Sequence, residues 1–222
     1  MKILILAAGD PHPRPLLQKL AQACDHIIAA DGGTRVARQA RLEVHQFVGD
    51  GDSIRRNDRT WLENKNTDVS WHPVEKDQTD LELAFDLALD HKPKSIHVFG
   101  GWGGRSDHTL SNLFLLEKGL SQGVESTLWA NYEKLQLHYP GDVVFEDAWK
   151  GQRLSLIPIS ESVEGVLTQG LRYPLYNETL YRAAARGVSN EVKKLPASIL
   201  FTKGKMLVVR AFDRQHLNLI LI

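Results

Sequence analysis

The stretch Ile96-His97-Val98-Phe99-Gly100-Gly101-Trp102-Gly103-Gly104-Arg105-Ser106-Asp107-His108 decides how this chain is read. Ile96 to Phe99 has the length and composition of a buried strand, and it stops at a glycine cluster. Four glycines within five residues let a ligand approach the backbone closely. Arg105 then offers a planar fork of N–H donors matched to phosphate oxygens. Asp107 is expected to cap the helix that follows, with His108 and Asn112, four residues apart, on one of its faces. Leu110, Leu113 and Phe114 are expected to form its buried stripe. A flexible turn and a helix cap are the plain alternative. Strand, glycines, arginine, acid and amphipathic helix in this order favour a phosphate site.

Outward from that stretch, the chain is 222 residues long, with 27 Lys plus Arg against 27 Asp plus Glu. A formal net charge of zero lacks the basic field that nucleic acid or a membrane surface requires. Cys24 is the single cysteine, which excludes an internal disulfide and a cysteine metal cluster. The apolar run Met1 to Ala8 is too short for a signal peptide or a membrane span. These features together predict a cytoplasmic protein.

Apolar runs Lys2 to Ala7, Ile27 to Ala30, Gln46 to Val48, Trp71 to Val74, Ile96 to Phe99 and Val124 to Trp129 read as strands. Helical patterns at Leu16 to Ala23, from Thr34 and at Asp80 to Leu89 alternate with them, so the fold class is α/β with a doubly wound parallel sheet. From about Gly151 the runs become short and β-branched, with glycine and proline punctuation, as in a small all-β sandwich. The expected domains are 1–145 and 146–222.

In a doubly wound sheet, ligands bind beyond the carboxyl ends of the strands. Asp31, Asp50 with Asp52, Lys76 to Asp80, and Gly100 to Asp107 all follow strands, so they should converge there. Asp50 and Asp52 are two apart, and Asp77 and Asp80 three apart at a helix start. Six carboxylates at one edge repel each other by about 1 kcal/mol per contact pair in water and ~4 kcal/mol at intermediate dielectric. A hard divalent cation, Mg²⁺ by its preference for carboxylate and phosphate oxygens, relieves that repulsion. Lys76 and Arg105 offset the remaining phosphate charge. The nine histidines show no ligand clustering, and there is neither a Walker-type G-x-x-x-x-G-K-[ST] motif nor a serine nucleophile elbow. Direct transfer between bound substrates therefore fits better than a covalent intermediate.

These motifs resemble those of the thiamine pyrophosphokinases. The resemblance rests on Asp31-Gly32-Gly33, Gly49-Asp50-Gly51-Asp52-Ser53, Lys76-Asp77-Gln78-Thr79-Asp80-Leu81-Glu82 and Gly103-Gly104-Arg105-Ser106-Asp107-His108 with Asn112. Ser155-Leu156-Ile157-Pro158, Gly170 to Leu175 and Gly187-Val188-Ser189-Asn190-Glu191 extend it into the second domain. It implies transfer of pyrophosphate from ATP to the hydroxyl of thiamine, giving thiamine diphosphate and AMP, in a homodimer with a shared site. It also implies roles. Asp50, Asp52, Asp77 and Asp80 would be catalytic acids, with Asp50, Asp52 and Asp80 on Mg²⁺. Asp31, Gly32, Gly33, Lys76, Thr79, Gly103, Gly104, Arg105, Asp107, His108 and Asn112 would bind ATP. Ser189 and Asn190 would face thiamine, and Tyr173, Tyr176 or Phe201 would supply an aromatic wall. Gly51 and Trp102 depart from the family's usual residues, which leaves open a non-catalytic nucleotide- or thiamine-binding homologue, or a kinase for another hydroxymethyl heterocycle.

Overall fold

A computed structural model describes residues 1–10 and 13–220. Pro11 and His12, read as a turn and a non-ligand, lie outside the described residues, as do Leu221 and Ile222 of the apolar C-terminal run. The chain divides into two compact units, Met1–Asn131 and Tyr132–Ile222.

The first unit contains strands β1 (Lys2–Leu6), β2 (His26–Ala30), β3 (Gln46–Gly49), β4 (Asp68–Trp71), β5 (Ser95–Phe99) and β6 (Glu125–Ala130). Its helices are α1 (Arg14–Ala23), α2 (Gly33–Ala40), α3 (Arg56–Glu63), α4 (Asp80–Asp90) and α5 (Ser106–Ser121). The strands run β4-β3-β2-β1-β5-β6 and every pair is parallel. β1 and β5 are buried nearly throughout, Ser95 and His97 included, because helices cover both faces of such a sheet. The order reverses between β1 and β5, and their outgoing loops zip together through Ala7 N to Phe99 O (2.8 Å) and Gly9 N to Gly100 O (2.7 Å). This is the switch point at which doubly wound sheets open a ligand crevice.

Two elements differ from the sequence reading. The fourth strand is Asp68–Trp71 rather than Trp71 to Val74, because its register is set by pairing with β3. The polar stretch after Arg55 holds α3, whose composition hides its role: Asp58 and Leu62 are buried, and Asp58 pairs with Arg38 of α2 at 2.5 Å.

The second unit contains β7 (Glu133–His138), β8 (Gly141–Val144), β9 (Arg153–Pro158), β10 (Ser162–Gln169), β11 (Glu178–Tyr181), β12 (Asn190–Glu191), β13 (Ser198–Phe201) and β14 (Met206–Ala211). Two antiparallel layers, β12-β9-β14-β7 and β11-β10-β13-β8, enclose a core that includes Leu154, Leu156, Val163, Val166, Ile199, Phe201, Met206 and Val208. The sandwich is as expected, but its unit begins at Tyr132 rather than 146. β7 pairs with β14 and β8 with β13, so residues 133–144 complete the second unit's sheets. Near the C-terminus the chain forms a short 3-10 helix, Leu217–Leu219, with Leu217 and Ile220 buried.

Candidate active site

Every crevice element enters from the carboxyl end of a strand. After β2, Asp31 turns with φ 39° and is fixed by its N–H to Val48 O (2.9 Å) while its carbonyl accepts from Thr34 Oγ1 (2.8 Å). Gly33, opening α2, packs on the Leu6 carbonyl so closely that a Cβ would collide with it. After β3, Asp52 N donates to Asp50 Oδ1 (3.0 Å) and Ser53 Oγ to Asp52 Oδ1 (2.8 Å). These turns bring carboxylate oxygens of Asp31, Asp50 and Asp52 within 4.8 Å of one another.

Lys76 bridges the acids from the other side. Its Nζ donates to Asp50 Oδ2 (2.6 Å) and lies 3.2 Å from Asp80 Oδ1. Lys76, expected at the nucleotide, lines the crevice and pairs there with Asp50 and Asp80. Asp80, expected with the metal acids, also stands at this lysine, and Asp31, expected at the nucleotide, lies beside Asp50 and Asp52. Asp77 is exposed in the turn before α4 and does not line the crevice. Thr79 caps α4 by accepting from Glu82 N (3.1 Å), a role that T-x-x-E spelled out in the sequence.

The electrostatics follow from burial and pairing. Burial, then the nearby Asp80 charge, raises the Asp31 carboxyl above its usual range. Burial also raises Asp80. The hydrogen bond from Lys76 holds Asp50 low. Burial works against the Lys76 ammonium, but its hydrogen bond to Asp50 and the adjacent Asp80 carboxylate keep it above the ordinary lysine value. Asp31 Oδ1 is buried with no hydrogen-bond partner, and Asp80 Oδ1 meets Lys76 at ion-pair range without hydrogen-bond geometry. An orphaned buried oxygen in a triad of hard oxygen donors, with no thiol or imidazole, fits a divalent cation such as Mg²⁺.

The glycine loop has the expected place but other bracing. Gly103 and Gly104 take φ of 86° and 73°, which only glycine adopts freely, and Asn112 Nδ2 ties the loop down through Gly101 O (2.8 Å). Thr109, which the sequence reading passed over, accepts from Gly103 N (3.1 Å) and lies 3.0 Å from Arg105 O. Arg105, rather than Asp107, stands at the N-cap of α5; Asp107 sits in the first turn and takes a two-pronged contact from Arg105 (2.6 and 3.2 Å). That contact draws the Asp107 carboxyl down to about 2. The predicted stripe is also displaced: Leu110 and Phe114 are exposed, and Leu115, Leu116 and Gly119 are buried. Leucines on two faces of α5 made the wrong one look apolar, whereas close packing on β6 needs Gly119.

Asp31, Gly32, Lys76, Thr79, Asp80, Gly103, Gly104, Arg105, His108 and Asn112 line one crevice of about 470 Å³. Three of the nine histidines, His26, His45 and His91, gather at the amino ends of the strands, away from the crevice. His26 and His91 both reach Gln46 Oε1 (3.0 and 2.8 Å), with His45 4.6 Å from His26 between ring centroids.

In the second unit, Ser189 is exposed at φ 58°. Asn190 is buried, and its amide is consumed: Oδ1 accepts from Tyr173 N (3.1 Å) and Glu191 N (2.9 Å), while Nδ2 donates to Tyr173 O (2.7 Å). It positions Tyr173 instead of presenting polar atoms to a ligand. Phe201 is 1% exposed and unavailable as a wall, whereas Tyr173 and Tyr176 are open to solvent.

A parallel sheet with its switch-point crevice lined by Asp31, Asp80, a bridging lysine and a glycine–arginine loop, followed by a β-sandwich, defines an α/β protein of the phosphate-handling class. The profile described as "Thiamin pyrophosphokinase, catalytic domain" matches residues 17–128, and "Thiamin pyrophosphokinase, vitamin B1 binding domain" matches residues 136–206. Thiamine pyrophosphokinase of Bacillus subtilis (strain 168) is 32% identical over 216 residues, covering 96% of this chain and 100% of the relative. Thiamin pyrophosphokinase 1 of Caenorhabditis elegans is 30% identical, covering 79% and 74%. The crystal structure of the B. subtilis protein superimposes with a TM-score of 0.86 over 96% of this chain and 100% of that one. The chain belongs to the thiamine pyrophosphokinase family. No helix among the described residues is long and apolar enough to cross a membrane.

Proposed function

We propose that the chain is a thiamine diphosphokinase, moving the terminal pyrophosphate of ATP to the hydroxyl of thiamine. The observation that carries this reading is the acid triad Asp31, Asp50 and Asp52 at the switch-point crevice of a chain that matches both family domains. The hydroxyl oxygen bonds to the β-phosphorus as the bridge between the α- and β-phosphates breaks. AMP leaves, thiamine diphosphate remains, and the hydroxyl proton is released.

Asp31, Asp50 and Asp52 would hold Mg²⁺, which supplies positive charge to the polyphosphate oxygens. The chain's own groups do the rest. Lys76 keeps Asp50 ionised and fixed, and Asp80 shares that lysine. The Gly104 backbone N–H and the Arg105 fork receive phosphate, Arg105 turning from Asp107 to do so. Asn112 and Thr109 hold that loop in place. Thiamine is a cationic heteroaromatic, so it requires an aromatic wall and nearby carboxylate charge. Tyr173, held by Asn190, is our candidate for the wall, with Ser189 beside it in sequence. A cytoplasmic homodimer in which one chain's acids meet the partner's sandwich completes the reading, on the strength of the family resemblance.

The test is direct: purified chain with ATP, Mg²⁺ and thiamine should yield AMP and thiamine diphosphate in equal amounts. Asp50→Asn should lower the rate by ~10²–10³, as loss of a charge-stabilising element does. ADP as product, or no turnover of thiamine, would overturn the proposal.

A further inference from the structure

Trp71 ends β4 and carries no role in the crevice described above. Its Cα pairs with that of Gly49, and the next residue's N–H, His72, donates to Gly49 O at 3.0 Å. Its ring packs on the turn that carries two of the three acids. Gly51, between Asp50 and Asp52, stands at φ 79°, and a Cβ there would lie 2.8 Å from Trp71 Cζ3. Phe47 lies against the indole with centroids 4.8 Å apart, and Arg59 of α3 places its guanidinium carbon 4.7 Å from the ring centroid. The indole is thus gripped by three neighbours although Trp71 is 43% exposed.

The turn is otherwise held at Asp50 by Lys76 Nζ (2.6 Å) and by the local hydrogen bonds from Asp52 N and Ser53 Oγ. Its central glycine, which has more backbone freedom to lose than any other residue, takes its one close side-chain contact from the Trp71 ring. We propose that Trp71, steadied by Arg59, is a positioning residue for the cation and polyphosphate site: its ring fixes the Gly51 turn, so that Asp50 and Asp52 keep their spacing to Asp31. Gly51 and Trp71 then form one unit, because the space beside Gly51 is the space the ring fills. This inference rests on the reading that those acids hold a divalent cation.

The experiment titrates Mn²⁺ alone into the whole chain, following free Mn²⁺ by electron paramagnetic resonance, with the unfolding temperature measured on the same samples. Trp71→Ala should weaken Mn²⁺ binding at least tenfold, and Trp71→Phe should recover part of the loss. Gly51→Ala should weaken binding more in the parent than in the Trp71→Ala background, since backbone strain is common to both but the clash is not. If Trp71→Ala does not fold, Trp71→Phe and Gly51→Ala decide the matter by the same titration. Should the parent bind Mn²⁺ and the Trp71 variants bind it equally well, the positioning role is wrong and the cation reading stands. A lowered unfolding temperature with unchanged Mn²⁺ affinity likewise reduces Trp71 to a packing residue. If the parent binds no more Mn²⁺ than Asp50→Asn does, the cation reading falls and this inference with it.

Discussion

Lys76 donates to Asp50 across 2.6 Å, and their side chains are 13% and 7% exposed. A pair this enclosed is worth more than a surface ion pair, and removing one partner strands the other. Lys76→Met should therefore cut turnover by ~10² or more, while Lys76→Arg, longer and forked, restores only part. Steady-state assays of both variants check this; near-parent rates for Lys76→Met would dismiss the bridging role.

Arg105 and Asp107 are both largely exposed, and under the proposed function their contact would compete with phosphate for the same fork. Asp107→Asn should free the fork and change KM for ATP with little effect on the unfolding temperature. Arg105→Lys should raise that KM, because a point charge cannot make two parallel bonds. Equal ATP kinetics for Arg105→Lys and the parent would count against a two-pronged grip.

Asn190 and Tyr173 should separate in their effects. Asn190→Ala leaves half-buried backbone groups of Tyr173 unpaired and should destabilise the chain by about 1 kcal/mol in urea unfolding. Tyr173→Ala, at an exposed ring, should leave stability nearly intact and raise KM for thiamine. A Tyr173→Ala variant with unaltered thiamine KM would remove it as the wall.

Thr79→Ala should cost about 1 kcal/mol by removing the α4 cap, and Thr79→Ser should retain it. The reciprocal arm of a capping box is missing, because Glu82 Oε1 accepts from Lys118 instead (2.8 Å). Glu82→Gln should accordingly weaken the α4–α5 contact rather than the cap, which urea unfolding of single and double variants with Lys118→Met resolves.

His138 gives the acid dependence. Burial first, then Arg210 and Lys134, push its pKa down to about 4. An imidazole neutral in the fold but protonated in the unfolded chain favours unfolding as acid is added. The associated stability is intact above about pH 6.5 and is lost as pH falls toward 4, up to on the order of 3 kcal/mol. His138→Gln should flatten the unfolding-midpoint curve across that window; an unchanged slope would show that His138 does not drive it.

Much of the chain was legible because the determinants are local. Strand and helix runs follow from hydrophobic period, so β1, β5 and α4 appear in the sequence nearly as they stand. The order Asp31, Asp50 with Asp52, Lys76 to Asp80 and Gly103 to Asn112 needed no more than the rule that doubly wound sheets bind ligands at strand carboxyl ends. The T-x-x-E cap at Thr79 was equally local and could have been read.

What the tertiary structure decided was how groups far apart in sequence share partners. Asp31 joins Asp50 and Asp52 because two turns from different strands converge, and Lys76 meets Asp80 along with Asp50. Asn190 points into backbone groups seventeen residues earlier, which no spacing rule anticipates. Leu110 and Phe114 are apolar yet exposed, since the face of α5 that packs is chosen by its neighbours. Residues 133–144 join the second unit because their hydrogen-bonding partners, β13 and β14, are more than fifty residues away. Composition and period fix which residues can form an element; which atoms that element then meets is set by chain closure over long separations, and a sequence read locally does not contain it.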